Sequence, residues 1–385
     1  MEIIPGWASR LVAESKGLTR PVRLVAAMPG HVRMLNAVSR MFTRFSPQEL
    51  PRVRAWVQGG QRYTITDALV ALANRTDLTL DQRLATANES AEYCTTLNGL
   101  SGWCPQFTEL MRQEVLIPLF DALGAPPACG ADFYAFFGNY GYTPFGVHDD
   151  VDQSLLWHLG PASKTAYIWP RQRYFELTGG TLSTTDYSLL LPHALRYELQ
   201  PGDLLFIPMG DFHVLQTREF STTLGLTLFP DDPMLECAEG LRLFAPNAKS
   251  FAAVANQSVT LQELAELRRM AVRSNNYLIT PPELSTVARA SYDEAVLRNS
   301  ALRAHSGWPL LHTRLANRAA LLVRRRLIWG RPNALFAALC EMLNGAERLP
   351  FESLRQRVAG TIQCAAVVEL VQSVSRLGGL TIEPL

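Results

Sequence analysis

The stretch that decides the fold is residues 145–158, FGVHDDVDQSLLWH, in which two histidines and three aspartates surround the start of an apolar run. Apolar and β-branched residues after a glycine indicate the entrance of a β-strand. Alternate residues of a strand share one face, so His148 and Asp150 are predicted to point the same way. Asp149 and Asp152 are then expected to point elsewhere, either into solvent or beside the metal ligands without binding the metal.

A third candidate ligand, His213, ends the segment FIPMGDFH, which follows a strand-like run. Before that run, QPGD at residues 200–203 predicts a tight turn that joins two antiparallel strands. Two imidazoles and one carboxylate can occupy one face of an octahedral metal and leave three positions open. We therefore predict that His148, Asp150 and His213 form a facial metal triad of the kind found in non-haem Fe(II) oxygenases.

The pattern on either side of this segment changes twice along the chain. Residues 31–125 carry apolar residues at three- and four-residue spacing and are predicted to be mostly helical. From about Ala131, short aromatic and β-branched runs alternate with turn signals, which indicates a barrel or jelly roll. After Pro233 the helical period returns in LQELAELRRMAVRS and YDEAVLRNSALRA, and the tail predicts three short helices and a strand, an order that resembles a winged helix.

Composition excludes several classes of protein. The net charge is +1 and the six cysteines are far apart without a C-x-x-C pair, which argues against a disulfide framework or a zinc ribbon. The N-terminus lacks the pattern of a signal peptide, and no apolar run approaches the ~18 residues of a membrane helix, so we expect a cytoplasmic protein without membrane contact. Only three of the 36 cationic residues are lysines, one of them Lys164.

The order of His148, Asp150, His158 and then GPASKTAYIW with Lys164 resembles the JmjC and cupin-like 2-oxoglutarate-dependent oxygenases, especially the ribosomal-oxygenase type. The resemblance covers residues 130–230 and, more loosely, the flanking helical regions. It implies a triad that binds Fe(II), with 2-oxoglutarate as co-substrate and O2 as oxidant.

The same resemblance implies which residues hold the co-substrate. Lys164 would form an ion pair with the distal carboxylate of 2-oxoglutarate. Tyr134, on the strand before the first metal ligand, and Thr223, on the strand after the last, would complete that carboxylate site. Thr222 or Thr227 could take the place of Thr223.

Three further residues of the strand-rich region are candidates for contact with the substrate. His158 occupies a position where the family commonly has Gln, and it is predicted to lie beside the site or to be a core histidine. Trp157 and Trp169 either line a substrate groove or belong to the core, where aromatic residues of strands are common.

The resemblance implies an α+β fold with a double-stranded β-helix core of the jelly-roll, cupin or JmjC type. Four regions are predicted. Residues 1–125 form a mainly helical region, and residues 126–233 form the catalytic barrel. Residues 234–310 form a helical linker or dimerisation region, and residues 311–385 form a winged-helix-like domain.

The function implied is hydroxylation of an amino-acid side chain in a protein or peptide. The same chemistry on a small metabolite and a non-catalytic, cupin-like scaffold are the alternatives. A homodimer is expected. Residues 301–385 contain eleven Arg and five Glu, including the triplet Arg324–Arg326, but nucleic acid is expected only as part of a ribonucleoprotein substrate.

Overall fold

The computed structural model describes residues 4–246, 259–284, 292–305 and 307–385. The chain divides into two compact units: unit 1 comprises Met1–Pro127 and Ala131–Pro230, and unit 2 comprises Ala128–Gly130 and Asp231–Leu385. The division into four regions is finer than this and stays a prediction, and part of the region 234–310 lies outside the described residues. No helix within the described ranges is both long and apolar enough to cross a lipid bilayer.

The helices of unit 1 are short, and most lie before the strand-rich region. They are α1 (Trp7–Glu14), α2 (His31–Met41), α3 (Ile65–Ala71), α4 (Leu80–Asn88), α5 (Pro105–Met111), α6 (Ile117–Leu123) and α7 (Arg171–Thr178). A π-helical turn, Arg112–Leu116, connects α5 to α6. The start of α4 is fixed by a capping box, in which Thr79 accepts from the backbone of Gln82 and the Gln82 side chain accepts in return.

The strands of unit 1 form two antiparallel sheets. They are β1 (Val22–Leu24), β2 (Arg52–Val57), β3 (Gly60–Gln61), β4 (Cys94–Asn98), β5 (Ala131–Gly138), β6 (Gly141–Tyr142), β7 (Gln153–Pro161), β8 (Lys164–Trp169), β9 (Leu195–Leu199), β10 (Leu204–Ile207), β11 (Phe212–Thr217) and β12 (Ser221–Leu228). The larger sheet has the order β1-β10-β7-β12-β5-β4-β2-β3, and the smaller one has the order β6-β11-β8-β9.

The N-terminal region is less helical than its sequence predicts, because β1 to β4 belong to the larger sheet. β2 pairs with β4, and β4 pairs with β5, the first strand of the predicted barrel. The first four residues of β2, RVRA, alternate between polar and apolar, which is the period of a strand. The prediction of residues 31–125 as mostly helix was therefore wrong for β2 and β4.

The two faces of β5 have different neighbours. Phe133 packs edge-on against Phe107 of α5, with 5.7 Å between ring centroids, and Phe137 packs in the same way against Phe42. Both strand residues are fully buried. Tyr134 lies on the other face, which is turned away from the helices and lines a cavity.

Residues 200–203 form the predicted tight turn, but the two strands that the turn connects lie in different sheets. Gly202 has φ 96°, a conformation that favours glycine. β9 pairs with β8 in the smaller sheet, whereas β10 pairs with β1 and β7 in the larger one. The turn therefore carries the chain from one sheet to the other, and the expectation that it joins two strands paired with each other was wrong.

Asp203 holds this crossing in place. Its buried carboxylate pairs with Arg23 at 2.6 Å and accepts from the backbone N–H groups of Ala26 and Gln200. The segment around β1 is thus tied to the barrel by a charge-assisted network.

Unit 2 contains short helices and two three-stranded sheets. The helices are α8 (Pro233–Phe244), α9 (Leu261–Ser274), α10 (Glu294–Arg298), α11 (Ala334–Asn344), α12 (Phe351–Arg357) and α13 (Cys364–Arg376). The strands are β13 (Ser300–Ala304), β14 (Leu311–Leu315), β15 (Arg318–Val323), β16 (Arg326–Gly330), β17 (Leu349–Pro350) and β18 (Leu380–Pro384). Their orders are β17-β13-β18 and β14-β15-β16.

The tail has the three helices and the strand that its sequence predicts, as α11, α12, α13 and β18. The helix predicted over YDEAVLRNSALRA is shorter, because α10 ends at Arg298 and β13 begins at Ser300. β13 pairs with the distant strand β18, a partner that no local pattern reveals.

The arginines 324–326 are engaged within unit 2. The first donates to Asn275 at 3.0 Å and lies over the ring of Trp308. The second pairs with Glu239 at 2.9 Å, and the third donates to the carbonyl of Pro282. These contacts assign the triplet a structural role.

Candidate metal centre and active-site cavity

The side chains of His148, Asp150 and His213 converge. One ligand atom from each lies within 4.8 Å of the others. The Nε2 atom of His148 is 3.9 Å from one carboxylate oxygen of Asp150, and the Nε2 atom of His213 is 3.6 Å from the other. Two imidazole nitrogens and a carboxylate thus face a common point, as the sequence predicts.

Backbone hydrogen bonds bring these residues together. His148 and His213 form an isolated antiparallel bridge, with N–H to carbonyl distances of 3.3 and 2.8 Å. Asp150 lies in the loop before β7, and its carbonyl accepts from the N–H of Gly210 at 3.0 Å. The two histidines are therefore positioned by a single bridge, and Asp150 by a loop contact, instead of by the regular strand that its spacing predicts.

Each histidine has its Nδ1 atom near a backbone carbonyl. The Nδ1 atom of His148 is 3.1 Å from the carbonyl of Gly146, and that of His213 is 3.2 Å from the carbonyl of Asp211. A carbonyl only accepts, so Nδ1 carries the hydrogen and Nε2 keeps its lone pair. Such outer contacts fix the tautomer and the ring orientation of metal-binding histidines.

Burial, and then the neighbouring His148, lower the pKa of His213 to about 4. The imidazole is therefore neutral near pH 7, which is the form that binds metal. His213 is 4% exposed.

The triad opens into a cavity of about 360 Å³. This volume is within the range of small-molecule sites. The wall is made by the triad, by strands of both sheets and by one loop, and its residues are Arg54, Asn98, Tyr134, Phe136, Phe145, His148, Asp150, Asp152, Ser154, Leu156, His213, Leu215 and Thr227.

The two aspartates beside the triad differ in their environments. Asp149 pairs with Arg171 at 2.6 Å and turns away from the triad, as expected. Asp152 is not part of the triad and lines the cavity beside it, which is the second of the two expected placements. Burial, and then the charge of Asp150, raise the pKa of Asp152 to about 7.

Lys164 lies in the interior of unit 1 and is 1% exposed. Its Nζ atom donates to the hydroxyl of Thr223 at 2.7 Å. Burial lowers the pKa of this ammonium to about 7, and no carboxylate pairs with it among the described residues. A buried lysine without an acidic partner is costly, so Lys164 is suited to receive an anion.

Of the three candidate threonines, Thr223 is the one that contacts Lys164. Thr227 lines the cavity, and the hydroxyl of Thr222 is buried with no hydrogen-bond partner in the described part of the chain.

Tyr134 is not joined to Lys164 by a hydrogen bond in the part of the chain described. Its hydroxyl is 3.1 Å from that of Ser154, at the cavity wall. Its ring covers Gly225, where an added Cβ atom would lie 2.2 Å from the ring. Burial, and then Asp150, raise the pKa of the Tyr134 phenol above its usual range.

Trp157, His158 and Trp169 are buried and are not among the residues that line the cavity. Trp157 packs against Trp7, and the indole N–H of Trp169 donates to the carbonyl of Leu190 at 3.0 Å. These contacts fit the core alternative for both tryptophans.

His158 contacts the backbone of its own strand turn. Its Nε2 atom is 2.6 Å from the carbonyl of Ala162, and its Nδ1 atom is buried and has no hydrogen-bond partner within the described ranges. Burial, and then the charge of Lys164, lower its pKa to about 3, so the ring is neutral.

Two functional candidates, Arg54 and Asn98, were missed in the sequence. They line the cavity from β2 and β4, in the region predicted to be helical. The alternation of RVRA at residues 52–55 indicates a strand at Arg54. Which face of that strand lines the cavity depends on its pairing with distant strands.

No family model and no curated protein matches this chain. Solved structures do. An X-ray structure of E. coli ycfD is 13% identical, covers 100% of both chains and has a TM-score of 0.48. YcfD, described as a ribosomal oxygenase from Escherichia coli, is 14% identical over 99% of both chains, with TM-scores of 0.49 for its complex with cobalt and 2-oxoglutarate and 0.47 for its complex with cobalt and succinic acid.

Proposed function

We propose that this protein is an Fe(II)- and 2-oxoglutarate-dependent oxygenase that hydroxylates an amino-acid side chain of a protein or peptide. One observation carries the proposal: in unit 1, a two-histidine, one-carboxylate cluster opens into a cavity, and a buried lysine has no acidic partner among the described residues. Together the cluster and the lysine match a metal with a chelating dicarboxylate.

The triad suits a ferrous ion. Neutral imidazole and carboxylate ligands with open positions are the ligand set of non-haem Fe(II) oxygenases. The hydrogen bonds at Nδ1 leave the Nε2 lone pairs of His148 and His213 directed toward Asp150. His148, Asp150 and His213 would thus hold the metal without a change of tautomer.

The buried lysine suits the far end of 2-oxoglutarate. Lys164 lies on the face of the smaller sheet that also carries His213, because His213 pairs with Ile168 on β8 and Lys164 lies two alternations from Ile168. Thr223, which accepts from Lys164, lies on β12 of the larger sheet. A carboxylate there would restore the normal charge state of Lys164 and accept from both side chains.

When bound, iron supplies oxidative decarboxylation of 2-oxoglutarate by O2, giving succinate and CO2, coupled to hydroxylation of a substrate C–H bond. The residues of this chain bind and orient. Lys164 and Thr223 fix the distal carboxylate, while Phe136, Phe145 and Leu215 form apolar wall that limits water. Exclusion of water protects a reactive centre from side reactions.

The sheet order supports a double-stranded β-helix, because consecutive strands alternate between the two sheets from β9 to β12. We propose this core for unit 1 and a winged-helix-like domain for residues 311–385. We also propose that the protein is a cytoplasmic homodimer and that each chain has the four predicted regions.

A protein or peptide substrate is proposed from the resemblance of the motif and from the named activity of YcfD, a ribosomal oxygenase. A ribosomal protein is the corresponding candidate. Arg54 offers a positive charge, and Asp152 a carboxyl group, to the part of the substrate that enters the cavity.

The proposal is tested with purified full-length protein loaded with Fe(II). Release of succinate from 2-oxoglutarate, and gain of one oxygen atom by a ribosomal-protein fraction, are expected. Turnover of free amino acids alone would favour the small-metabolite alternative. A protein that binds neither metal nor 2-oxoglutarate would contradict the oxygenase and favour a scaffold.

A further inference from the structure

Two apolar side chains lie exposed beside the metal ligands. Val151, which directly follows the ligand Asp150, is 81% exposed, and Met209 is 51% exposed. The N–H of Gly210 donates to the carbonyl of Asp150 at 3.0 Å, so each apolar residue is next in sequence to one member of this bonded pair. Val151 and Met209 therefore lie on adjacent segments at the edge of the cavity that Asp150 lines, and we call them the apolar edge.

Both segments of the apolar edge are held by contacts within unit 1. In the turn at residues 208–211, the N–H of the fourth residue donates to the carbonyl of the first at 3.2 Å. Gly210 has φ 82°, the positive value that the third position of a type II turn requires. On the other segment, Asp149 pairs with Arg171 at 2.6 Å. The backbone therefore presents both apolar side chains to solvent in a fixed arrangement.

The open side of the triad lies next to the apolar edge. The side chains of Asp150 and His148 are partly exposed, whereas that of His213 is buried. A substrate that approaches the triad from solvent therefore passes the segment that carries Asp150 and Val151. The parts of the substrate that stay outside the cavity come to lie over this segment and its neighbour.

The chemistry of the apolar edge selects an apolar partner. Valine and methionine side chains offer neither a charge nor a strong hydrogen-bonding group. Removing their surface from water is favourable in proportion to the apolar area covered, and the flexible methionine adapts to partners of different shape. Consecutive Cα atoms of a peptide are about 3.8 Å apart, so residues within two positions of an inserted residue can reach the edge of the cavity.

We propose that Val151 and Met209 are specificity-determining residues that bind an apolar side chain of the peptide substrate, within two positions of the hydroxylated residue. This role rests on the proposed function and names a feature of the substrate which that function leaves open. A peptide fits the apolar edge better than a second copy of this chain, because a subunit seated there would cover the open side of the triad.

The test reads the sequence preference of the enzyme. A synthetic, methionine-free library of randomised nonapeptides is incubated with Fe(II)-loaded full-length protein, 2-oxoglutarate and O2. Peptides that gain one oxygen atom are sequenced by tandem mass spectrometry. Wild type should enrich Val, Ile or Leu about tenfold within two positions of the hydroxylated residue, because partial burial of apolar side chains changes affinity by this order. The double variant Val151→Ser/Met209→Ser should lose the enrichment.

A peptide recovered from the library allows a measurement of binding. Its affinity for protein loaded with Mn(II) and 2-oxoglutarate should fall about tenfold in the double variant. Replacing the apolar neighbour in the peptide by Ser should weaken binding to wild type by a similar factor and add little in the double variant. Affinities for Mn(II) and 2-oxoglutarate should stay at their wild-type values, which checks the fold.

Val32→Ser is the matched control. Val32 is 58% exposed on α2, a helix that contributes none of the residues lining the cavity. The control should keep both the wild-type preference and the wild-type affinity for the peptide. An equal loss in Val32→Ser and in the double variant would contradict a role specific to the apolar edge.

Failure of this role differs from failure of the proposed function. If wild type shows no apolar enrichment, or the double variant keeps it, the role of Val151 and Met209 is wrong and the oxygenase stands. A double variant that keeps the preference and changes particle mass in light scattering would make the apolar edge a contact between copies. If wild type binds 2-oxoglutarate but hydroxylates no library peptide, the role is wrong together with the peptide substrate. If wild type with Mn(II) binds no 2-oxoglutarate, the oxygenase is wrong as well.

Discussion

Replacing Lys164 by Met should stabilise the ligand-free protein while removing its affinity for 2-oxoglutarate. Burial lowers the pKa of Lys164 from 10.5 to about 7. Each pKa unit corresponds to 1.36 kcal/mol, so the buried ammonium destabilises the folded state by about 4 kcal/mol at pH 7. Met has a similar length and no charge, but it does not fill the site as well as Lys164 does, which offsets part of this stabilisation. We therefore expect the free energy of unfolding at pH 7 to increase by about 2–4 kcal/mol in Lys164→Met.

The gain should depend on pH in a defined direction. The folded-state pKa of Lys164 lies below the unfolded-state value, so between about pH 7 and 10.5 the unfolded chain binds the additional proton. Wild-type stability therefore rises with pH across this window through this group, and Lys164→Met lacks the effect. The difference between the two proteins should be largest near and below pH 7 and should vanish by about pH 10.5.

Urea unfolding followed by tryptophan fluorescence measures both effects, and Lys16→Met, at an exposed position, is the matched control. The control should change stability by less than about 0.5 kcal/mol. Addition of 2-oxoglutarate with Mn(II) should stabilise wild type and not Lys164→Met. A Lys164→Met protein that unfolds at lower urea than wild type at pH 7, or that is stabilised by 2-oxoglutarate, would refute the reasoning.

Three further predictions concern the metal, the cavity wall and unit 2. Asp150→Ala should abolish Mn(II) binding measured by calorimetry, whereas Asp149→Ala should retain it; the reverse result would reassign the carboxylate ligand. Arg54→Ala should raise the KM for the protein substrate several-fold without changing 2-oxoglutarate affinity, and an unchanged KM would exclude Arg54 from substrate contact. Removal of residues 301–385 should cause aggregation visible in size-exclusion chromatography, because Leu315 and Leu322 pack with the apolar residues of α8 and α9. A monodisperse truncated protein would contradict that last expectation.

The metal triad could be predicted because its chemistry is local. The spacing of His148 and Asp150 and the turn chemistry before His213 are written in short segments. Even so, the reason for their convergence is a backbone bridge and a loop contact, not the alternation of one strand. The residue types were therefore predictable, and the element that positions Asp150 was not.

Sheet partners could not be predicted because they depend on residues far away in the chain. The turn at residues 200–203 was recognised, but its two flanking strands belong to different sheets. Asp152 lies two residues after Asp150 and lines the cavity as Asp150 does, although it precedes the start of β7 at Gln153.

The cavity wall is built from two parts of the chain that can vary separately. The residues facing it from β2 and β4, Arg54 and Asn98, are distant in sequence from the triad and from Lys164. Exchange of those two side chains leaves the metal ligands, their Nδ1 contacts and the lysine site untouched. A library restricted to the inward positions of β2 and β4 would therefore vary what the cavity accepts while the chemistry stays constant, which makes this pair of strands the place to redirect the enzyme.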